Sequence, residues 1–264
     1  MQLRTDRMIA RKEGGVGWMI FNNPERRNAV SLAMREAMVE ILEAYAKDDE
    51  VRVLILRGAG GKSFVAGADI SEFKDKRNSA EAEAHYNAIA DKSRVAMLEF
   101  GKPIIAMVEG FCVGGGMGTA LSCDFRIASD DSEFGIPAAR LGLAYSYDNL
   151  KNLTDVVGPA FAKQMLFTGA RLSARKALEI GLVNEIWPRA ELEGRVLAIA
   201  GEIVANAPLT IRAAKATIDE IHKDAGARDM ARIDRLAREC FDSRDFREGR
   251  EAFMEKRKPV FQGR

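Results

Sequence analysis

The chain has 264 residues, of which 47% are hydrophobic and 30% are charged, a composition typical of a folded globular protein and unlike that of disordered, collagen-like or coiled-coil chains. Forty basic residues against 39 acidic ones give a formal net charge of +1, which provides no overall field to attract nucleic acid or an anionic membrane. Three cysteines, Cys112, Cys123 and Cys240, show no CxxC spacing, so we expect reduced thiols rather than disulfides or a zinc site. The N-terminus has no apolar core of signal-peptide length, and we expect a cytoplasmic protein.

Strands and helices are predicted to alternate through the first half of the chain. Apolar, β-rich runs predict strands at 15–21, 51–56 and 103–108, and amphipathic stretches predict helices at 31–47 and 80–99. Ser31, followed by apolar residues at three-to-four spacing, indicates a capped helix. After about residue 158 the pattern becomes almost wholly helical. We therefore predict an α/β core over residues 1–195 and a helical region over residues 196–264.

Two glycine-rich segments invite comparison with nucleotide-binding loops, and both fail the spacing test. GAGGKS follows an apolar strand, but Leu56 stands where a phosphate-binding loop needs its first glycine. The dinucleotide fingerprint started by Gly114 and Gly116 needs a third glycine where the chain has Thr119. These spacings argue against a nucleotide site.

The segment GFCVGGGMG at 110–118 ends an apolar strand in three glycines, and a helix of small residues follows. Glycines let a ligand approach the backbone, and the free N–H groups of a helix start favour negative charge developing on an oxygen. The alternative is a tight turn packed against another backbone. FVAGADI at 64–70 is a second small-residue loop that could present one more amide.

An ordered series of four segments resembles the enoyl-CoA hydratase/isomerase (crotonase) family. They are FVAGADI at 64–70, GFCVGGGMG at 110–118, FGIPAARLGL at 134–143 and LFTGARLSARKALEIGLVNEIW at 166–187. The resemblance extends from NNPERRNAVS at 22–31 to AFMEKRKPVF at 252–261. It implies a spiral of ββα units with a C-terminal helical trimerisation region, assembled as a homotrimer or a dimer of trimers. It also implies a coenzyme A thioester as substrate, with no separate cofactor. From the net charge and the cysteine spacing we expect no nucleic acid, membrane or metal partner.

The family's substrate contacts fall on named positions of this chain. In the family, the thioester carbonyl accepts hydrogen bonds from two backbone amides, which match Ala68 and Gly115 here; an enolate needs such donors fixed before its charge develops. Further substrate contacts are implied for Arg27, Ala29, Ala66, Asp69, Ile70, Val113, Pro137, Ala138 and Leu141. Candidate phosphate partners are Arg26, Arg27 and, from a neighbouring subunit, Lys256 or Lys258, with a solvated basic face as the alternative. Asp69 and Asp124 match positions that fix the two donor loops by hydrogen bonding.

The chain departs from the family at the two positions whose side chains transfer the protons of water in a hydratase. The two glutamates that the family uses for this step fall on Gly118 and Ala138, and neither residue can hold a proton. Losing one such group costs about 10² to 10⁴ in rate. The resemblance therefore implies an enolate-stabilising site that lacks the usual acid–base pair.

Candidate replacements lie in LGLAYSYDNL at 141–150. Tyr145 falls where methylmalonyl-CoA decarboxylase-like relatives carry a tyrosine; it could orient or donate a proton, or form an aromatic wall of the pocket. Asp148 could act on the substrate, or it could cap the helix predicted near residue 149, as could Ser146. His85 could reach the pocket or lie at the surface, whereas His222 has no motif around it.

The main interpretation is an enzyme that stabilises a thioester enolate in a backbone oxyanion hole formed by Ala68 and Gly115. Two alternatives stay open at this point. One is a methylmalonyl-CoA decarboxylase-like lyase that uses Tyr145, because loss of carbon dioxide itself yields the enolate. The other is a catalytically silent acyl-CoA-binding protein.

Overall fold

The computed structural model describes residues 1–69 and 80–264 of the chain. Within them the strands, in chain order, are β1 (Met8–Glu13), β2 (Val16–Phe21), β3 (Val53–Gly58), β4 (Ser63–Val65), β5 (Ile104–Val108), β6 (Phe111–Val113), β7 (Phe125–Ser129), β8 (Glu133–Gly135), β9 (Leu172–Ser173) and β10 (Glu185–Trp187). They form a six-stranded sheet in the order β1-β2-β3-β5-β7-β10 and a four-stranded sheet in the order β4-β6-β8-β9.

The helices of the described part are α1 (Leu32–Lys47), α2 (Ala80–Leu98), α3 (Gly115–Leu121), α4 (Tyr147–Thr168), α5 (Ala174–Glu179), α6 (Arg189–Ala205), α7 (Pro208–Ile221), α8 (Met230–Asp242) and α9 (Arg244–Glu255). Short 3₁₀ helices occur at Pro24–Arg26, Ala138–Arg140 and Ala225–Ala227. The predicted α/β class is confirmed. The predicted capped helix is confirmed as well, because the Ser31 hydroxyl accepts a hydrogen bond from the Met34 amide at the start of α1.

The large sheet has an apolar layer on each face. Leu54 and Leu56 of β3 pack into a buried cluster that includes Met34 and other residues of α1. Ile55, between them, belongs to a second cluster that includes Val196 of α6. Alternate residues of a strand point to opposite faces, so β3 is buried on both sides. This explains why the central parallel strands read as continuous apolar runs.

The small sheet positions the glycine-rich loops. Its strands β4, β6 and β8 run parallel, with Val65 opposite Cys112 and Val113 opposite Gly135. Parallel strands end at the same edge of a sheet, so the three segments that follow these strands leave the sheet side by side. They are the segments predicted to carry Ala68, Gly115 and Ala138.

One prediction needs correction, one strand was missed, and one predicted boundary divides a helix. The chain after residue 158 is not almost wholly helical, since β9 and β10 lie there; and the antiparallel strand β1 was not predicted. The boundary placed after residue 195 falls inside α6, whose buried face packs on the large sheet. A helical region that is separate from the sheet would therefore start at α7; the division into two domains stays a prediction.

Among the described helices, no single one has the length and apolar character to cross a membrane. One bent pair, Arg189–Ala205 with Pro208–Ile221, meets the length and composition requirement when its two helices are taken together, at a bend of 107°.

Candidate active site

The segments after β4 and β6 touch each other at the edge of the small sheet. A Cβ placed on Gly67 would lie 3.6 Å from the Gly115 amide nitrogen and equally far from the Val113 carbonyl oxygen. Gly67 has φ 101°, a conformation that residues with a side chain rarely adopt. The Gly114 amide donates to the Gly135 carbonyl oxygen at 2.8 Å, which ties in the segment after β8. The sequence-predicted loops therefore meet in space.

The Ala68 amide points away from Val30, the residue whose backbone holds the Ala68 loop in place. Val30 pairs with Ala68 in a parallel bridge: the Val30 amide donates to the Gly67 carbonyl oxygen (2.9 Å), and the Asp69 amide donates to the Val30 carbonyl oxygen (3.0 Å). In this pattern the bonded groups belong to the residues on either side of Ala68. The N–H of Ala68 itself is directed to the opposite side, toward the glycine turn.

The Gly115 amide opens helix α3. First-turn N–H groups of a helix have no acceptor within the helix. The Ala68 nitrogen lies 3.6 Å from the position that a Cβ on Gly115 would take. Within residues 1–69 and 80–264, neither of these two amides has a hydrogen-bond acceptor, and both residues are partly exposed. Two free donors side by side suit a single oxygen that accepts from both.

Close packing fixes the glycine turn. A Cβ on Gly116 would lie 2.0 Å from the Val65 carbonyl oxygen, so only glycine fits at this position. The buried Asn28 holds the chain that leads into β4. Its carboxamide donates to the carbonyl oxygens of Ala59 and Ser63. The sequence analysis missed Asn28. Its left-handed conformation, φ 57°, is one that asparagine tolerates better than most residues.

The two aspartates predicted to fix the donor loops are hydrogen-bonded. Asp69 is buried, and both of its carboxylate oxygens lie 3.0 Å from Arg26 Nη1. Asp124 accepts from the Ile104 amide at 2.6 Å and from Lys215 Nζ at 3.0 Å. Because Arg26 is engaged by Asp69, its side chain is held next to the Ala68 loop.

Tyr145 is bound to the same peptide unit that presents the Gly115 amide. Its hydroxyl donates to the Gly114 carbonyl oxygen at 3.1 Å, and that oxygen also accepts from the Met117 amide at 3.0 Å. The C=O of Gly114 and the N–H of Gly115 point in opposite directions across a trans peptide. Burial raises the pKa of Tyr145 above its ordinary value, so the phenol stays protonated at neutral pH.

Asn149, which the sequence analysis did not single out, fills the space in front of Gly118. A Cβ on Gly118 would lie 3.0 Å from Asn149 Oδ1 and 3.6 Å from the Tyr145 hydroxyl oxygen. A longer side chain at residue 118 would have to displace the Asn149 carboxamide. The sequence signal was present in the motif LGLAYSYDNL, but which side chain of the segment faces the glycine turn depends on tertiary packing.

Asp148 and Ser146 do not cap α4 as proposed. The helix starts at Tyr147, and Ser146 occupies the N-cap position without a side-chain hydrogen bond. Asp148 lies in the first turn, where it forms a 3.0 Å ion pair with Arg94 of α2, and its side chain is half exposed. His85 lies exposed on α2, and His222 is the C-cap residue that follows α7.

The other residues implied as substrate contacts surround the three segments. The Ala66 amide donates to the Arg27 carbonyl oxygen at 3.1 Å, and the Arg27 guanidinium lies 5.2 Å from the ring centre of Phe111. Ala29, Ala66, Val113, Pro137 and Ala138 are partly exposed, whereas Leu141 is 65% exposed. Ile70 lies outside the described residues. Lys256 and Lys258 are exposed near the C-terminus.

The two thiols beside the glycine turn are not suited to nucleophilic chemistry. Cys112 and Cys123 are free and buried on either side of the glycine turn, and burial raises the pKa of Cys123 to about 12. A thiol with such a pKa is protonated at neutral pH and is a weak nucleophile. Across the described part of the chain, no cluster of three or more His, Cys, Asp or Glu side chains could hold a metal ion.

Comparison with known proteins agrees with this architecture. The sequence profile described as enoyl-CoA hydratase/isomerase matches residues 11–264. A short-chain-enoyl-CoA hydratase of Clostridium acetobutylicum is 38% identical, over 97% of each chain, and a crotonyl-CoA hydratase of Syntrophomonas wolfei is 36% identical, over 97% of this chain and 98% of the relative. The crystal structure of an enoyl-CoA hydratase/carnithine racemase from Magnetospirillum magneticum superposes with a TM-score of 0.93 at 35% identity, covering 98% of this chain and 97% of that one. The chain belongs to the enoyl-CoA hydratase/isomerase family, and its fold is that of the crotonase superfamily.

Proposed function

We propose that this chain is an enzyme that binds an acyl-CoA and polarises its thioester carbonyl with the backbone amides of Ala68 and Gly115. The supporting observation is the pair of free N–H groups at the edge of the small sheet. Negative charge that moves onto the carbonyl oxygen when an enolate forms would be stabilised by both donors. The relatives named as hydratases of enoyl thioesters support the same substrate class.

The donors are preorganised by the fold. The Ala68 loop is held by the bridge to Val30 and by the Asp69–Arg26 contact, and the Gly115 peptide is held by Tyr145 and by the packing of Gly116 on Val65. Preorganised dipoles need no reorganisation when charge develops, which is why they lower a barrier more than mobile ones. A thioester oxygen that sits between the two amides places the α-carbon of the acyl group next to them.

A direct test is calorimetric titration with a non-hydrolysable acyl-CoA, such as a butyryl-CoA analogue in which a methylene group replaces the thioester sulfur and the carbonyl oxygen is retained. We expect this analogue to bind and free CoA, which lacks the acyl group, to bind much more weakly. In the bound structure the carbonyl oxygen should lie within hydrogen-bond distance of both amides. No binding at millimolar ligand would refute the proposal. A bound oxygen directed away from Ala68 and Gly115 would refute the oxyanion hole.

A second candidate function is a decarboxylating lyase. In that reaction the C–C bond to the carboxylate breaks, its electron pair forms the enolate, carbon dioxide leaves, and a proton is then added to the α-carbon. The site needs the two amide donors and one proton source but no base. Tyr145 is the residue to test as that proton source, because its protonated hydroxyl lies at the glycine turn; to donate to the enolate it would have to release its hydrogen bond to the Gly114 carbonyl oxygen.

Turnover of a panel that includes crotonyl-CoA and methylmalonyl-CoA separates the candidates. Hydration of crotonyl-CoA would support a hydratase, and release of carbon dioxide from methylmalonyl-CoA would support the lyase. Tight binding with no turnover of any member would support an acyl-CoA-binding protein without catalytic activity.

We further propose that the chain assembles as a homotrimer or a dimer of trimers in the cytoplasm. Large apolar side chains are exposed on α8, α9 and the C-terminal segment: Phe241, Phe253, Met254 and Val260 are each at least 66% exposed. A surface of this kind favours burial against another chain. Light scattering should give three or six times the mass of one chain, and a monomer at micromolar concentration would contradict the assembly.

A further inference from the structure

The Asn149 carboxamide lies against Gly118 of α3, the helix that the Gly115 amide opens. A Cβ–Cα bond in a helix tilts toward the helix N-terminus, so the Cβ position of Gly118 leans toward Gly114 and Gly115. Asn149 Oδ1 is 3.0 Å from that position. The Tyr145 hydroxyl, 3.6 Å from the same position, is bonded to the Gly114 carbonyl oxygen, which fixes where this cluster lies. The carboxamide therefore borders the glycine turn on the side of the first turn of α3.

The two polar groups of this cluster differ in what they can offer a ligand. The hydrogen of the Tyr145 hydroxyl is used by Gly114. Asn149 is partly exposed, and in the structure as described its carboxamide has no hydrogen-bond partner in the protein. An asparagine side chain carries two donors and an acceptor, and its neutral amide neither takes up nor releases a proton near neutral pH. It can bind and orient an oxygen atom, but it cannot serve as the acid or base.

The carboxylates near the cluster are already engaged. Asp148 is paired with Arg94, and Asp69 with Arg26. With Gly118 and Ala138 at the adjoining positions, the described lining around Asn149 offers hydrogen bonds without an unpaired negative charge. An apolar acyl group bound against Asn149 would cover the carboxamide without giving it a hydrogen-bond partner, which costs binding free energy.

We infer that Asn149 is a specificity-determining residue that donates from its carboxamide to an oxygen carried by the acyl group close to the α-carbon. The ligand class is an acyl-CoA with a hydroxyl or carboxylate oxygen on its acyl chain, in preference to a plain alkyl acyl-CoA. This inference rests on the proposed acyl-CoA function, because the thioester oxygen at Ala68 and Gly115 is what brings the acyl chain against Asn149.

The test compares dissociation constants for analogues of butyryl-CoA, 3-hydroxybutyryl-CoA and methylmalonyl-CoA in which a methylene group replaces the thioester sulfur and the carbonyl oxygen is retained. We expect the native chain to bind at least one oxygen-bearing analogue about three- to tenfold more tightly than the butyryl analogue, the value of one hydrogen bond. Asn149→Leu, which has a similar size and no donor, should abolish this preference while it retains butyryl binding. Asn149→Asp should weaken the carboxylate analogue and spare the hydroxyl analogue, which distinguishes the two oxygen sources.

Asn152→Leu is the matched control, because it makes the same substitution three residues further along α4. It should leave the preference intact. A native chain that binds all three analogues equally, or an Asn149→Leu variant that keeps the preference, would overturn the inference while the acyl-CoA function stands. Failure of the native chain to bind even the butyryl analogue would instead refute the proposed function, and the inference with it.

Discussion

Two regions contribute to the candidate site in different ways. One is the donor edge, which consists of the Ala68 loop and the glycine turn at Gly115; the other is the segment 141–149. The donor edge offers main-chain N–H groups whose positions follow from strand pairing and close backbone packing. The segment 141–149 offers side chains on a more exposed stretch, where Leu141 and Tyr147 are 65% and 77% exposed. Backbone donors persist as long as the fold does, whereas side-chain chemistry can change with single substitutions. The comparison separates what binds and polarises a substrate from what selects its reaction.

The largest effect should come from removing one donor at the edge. Gly115→Pro deletes the N–H, and proline suits the first position of a helix, so the backbone of α3 should tolerate it. We expect kcat on the identified substrate to fall about 10²- to 10³-fold, as for other oxyanion-hole donors. Steady-state kinetics measures this loss, with circular dichroism as the check on folding.

Gly115→Ala is the control for this change, because it keeps the N–H. Its Cβ would lie 3.6 Å from the Ala68 nitrogen, an ordinary contact distance. The alanine variant should therefore lose much less activity than the proline variant. Equal losses in two folded variants would mean that the space at residue 115, and not its amide, matters for activity.

The second prediction adds the proton-transfer groups that are absent at residues 118 and 138. We expect slow hydration of crotonyl-CoA by the native chain. Gly118→Glu with Ala138→Glu should raise it, and adding Asn149→Ala should raise it further, because a side chain at residue 118 meets Asn149 Oδ1 at 3.0 Å from its Cβ. The triple variant should hydrate about 10²-fold faster than the native chain.

The double variant without Asn149→Ala is the matched comparison, and a spectrophotometric assay of the conjugated thioester follows all of them. A native kcat of about 10² to 10³ s⁻¹, the upper part of the usual enzyme range, would contradict the prediction. It would mean that another residue already supplies the base.

A smaller effect is expected for Tyr145→Phe. This change removes the hydrogen bond to the Gly114 carbonyl oxygen and so loosens the peptide that presents the Gly115 amide. One hydrogen bond is worth about 1 kcal/mol, so kcat should fall about fivefold with little change in KM. Because burial raises the pKa of Tyr145, the native pH–rate profile should show no basic limb from this phenol below its ordinary pKa of about 10. A loss near 10²-fold would instead identify Tyr145 as a proton donor to the enolate.

The sequence was sufficient to predict the α/β class, because apolar runs and helix starts are local patterns. Ala68 and Gly115 were assigned as donors from the family resemblance, and their role stays a prediction. The sequence was not sufficient to identify Asn149, which meets Gly118 only after α4 packs near α3, or Asn28, whose carboxamide bonds to residues more than 30 positions away. The short strands β9 and β10 were missed because two or three residues carry no measurable periodicity. Site residues that depend on long-range packing are the ones that a local pattern does not reveal.

The smallest effect is expected for Asp148→Asn. Asp148 was a catalytic candidate as the only carboxylate of its segment, yet its carboxylate is half exposed and paired with Arg94 at 3.0 Å. An exposed ion pair contributes about 1 kcal/mol or less, and Asn is nearly isosteric with Asp. We therefore expect kcat within about twofold of the native value, a free-energy change no larger than RT at 25 °C. The melting temperature should be slightly lower, and this difference should disappear at high salt because salt screens the ion pair. Arg94→Gln breaks the same pair from the other side and should have the same small effect. A large loss of kcat in Asp148→Asn, with Arg94→Gln unaffected, would show that the carboxylate acts on the substrate.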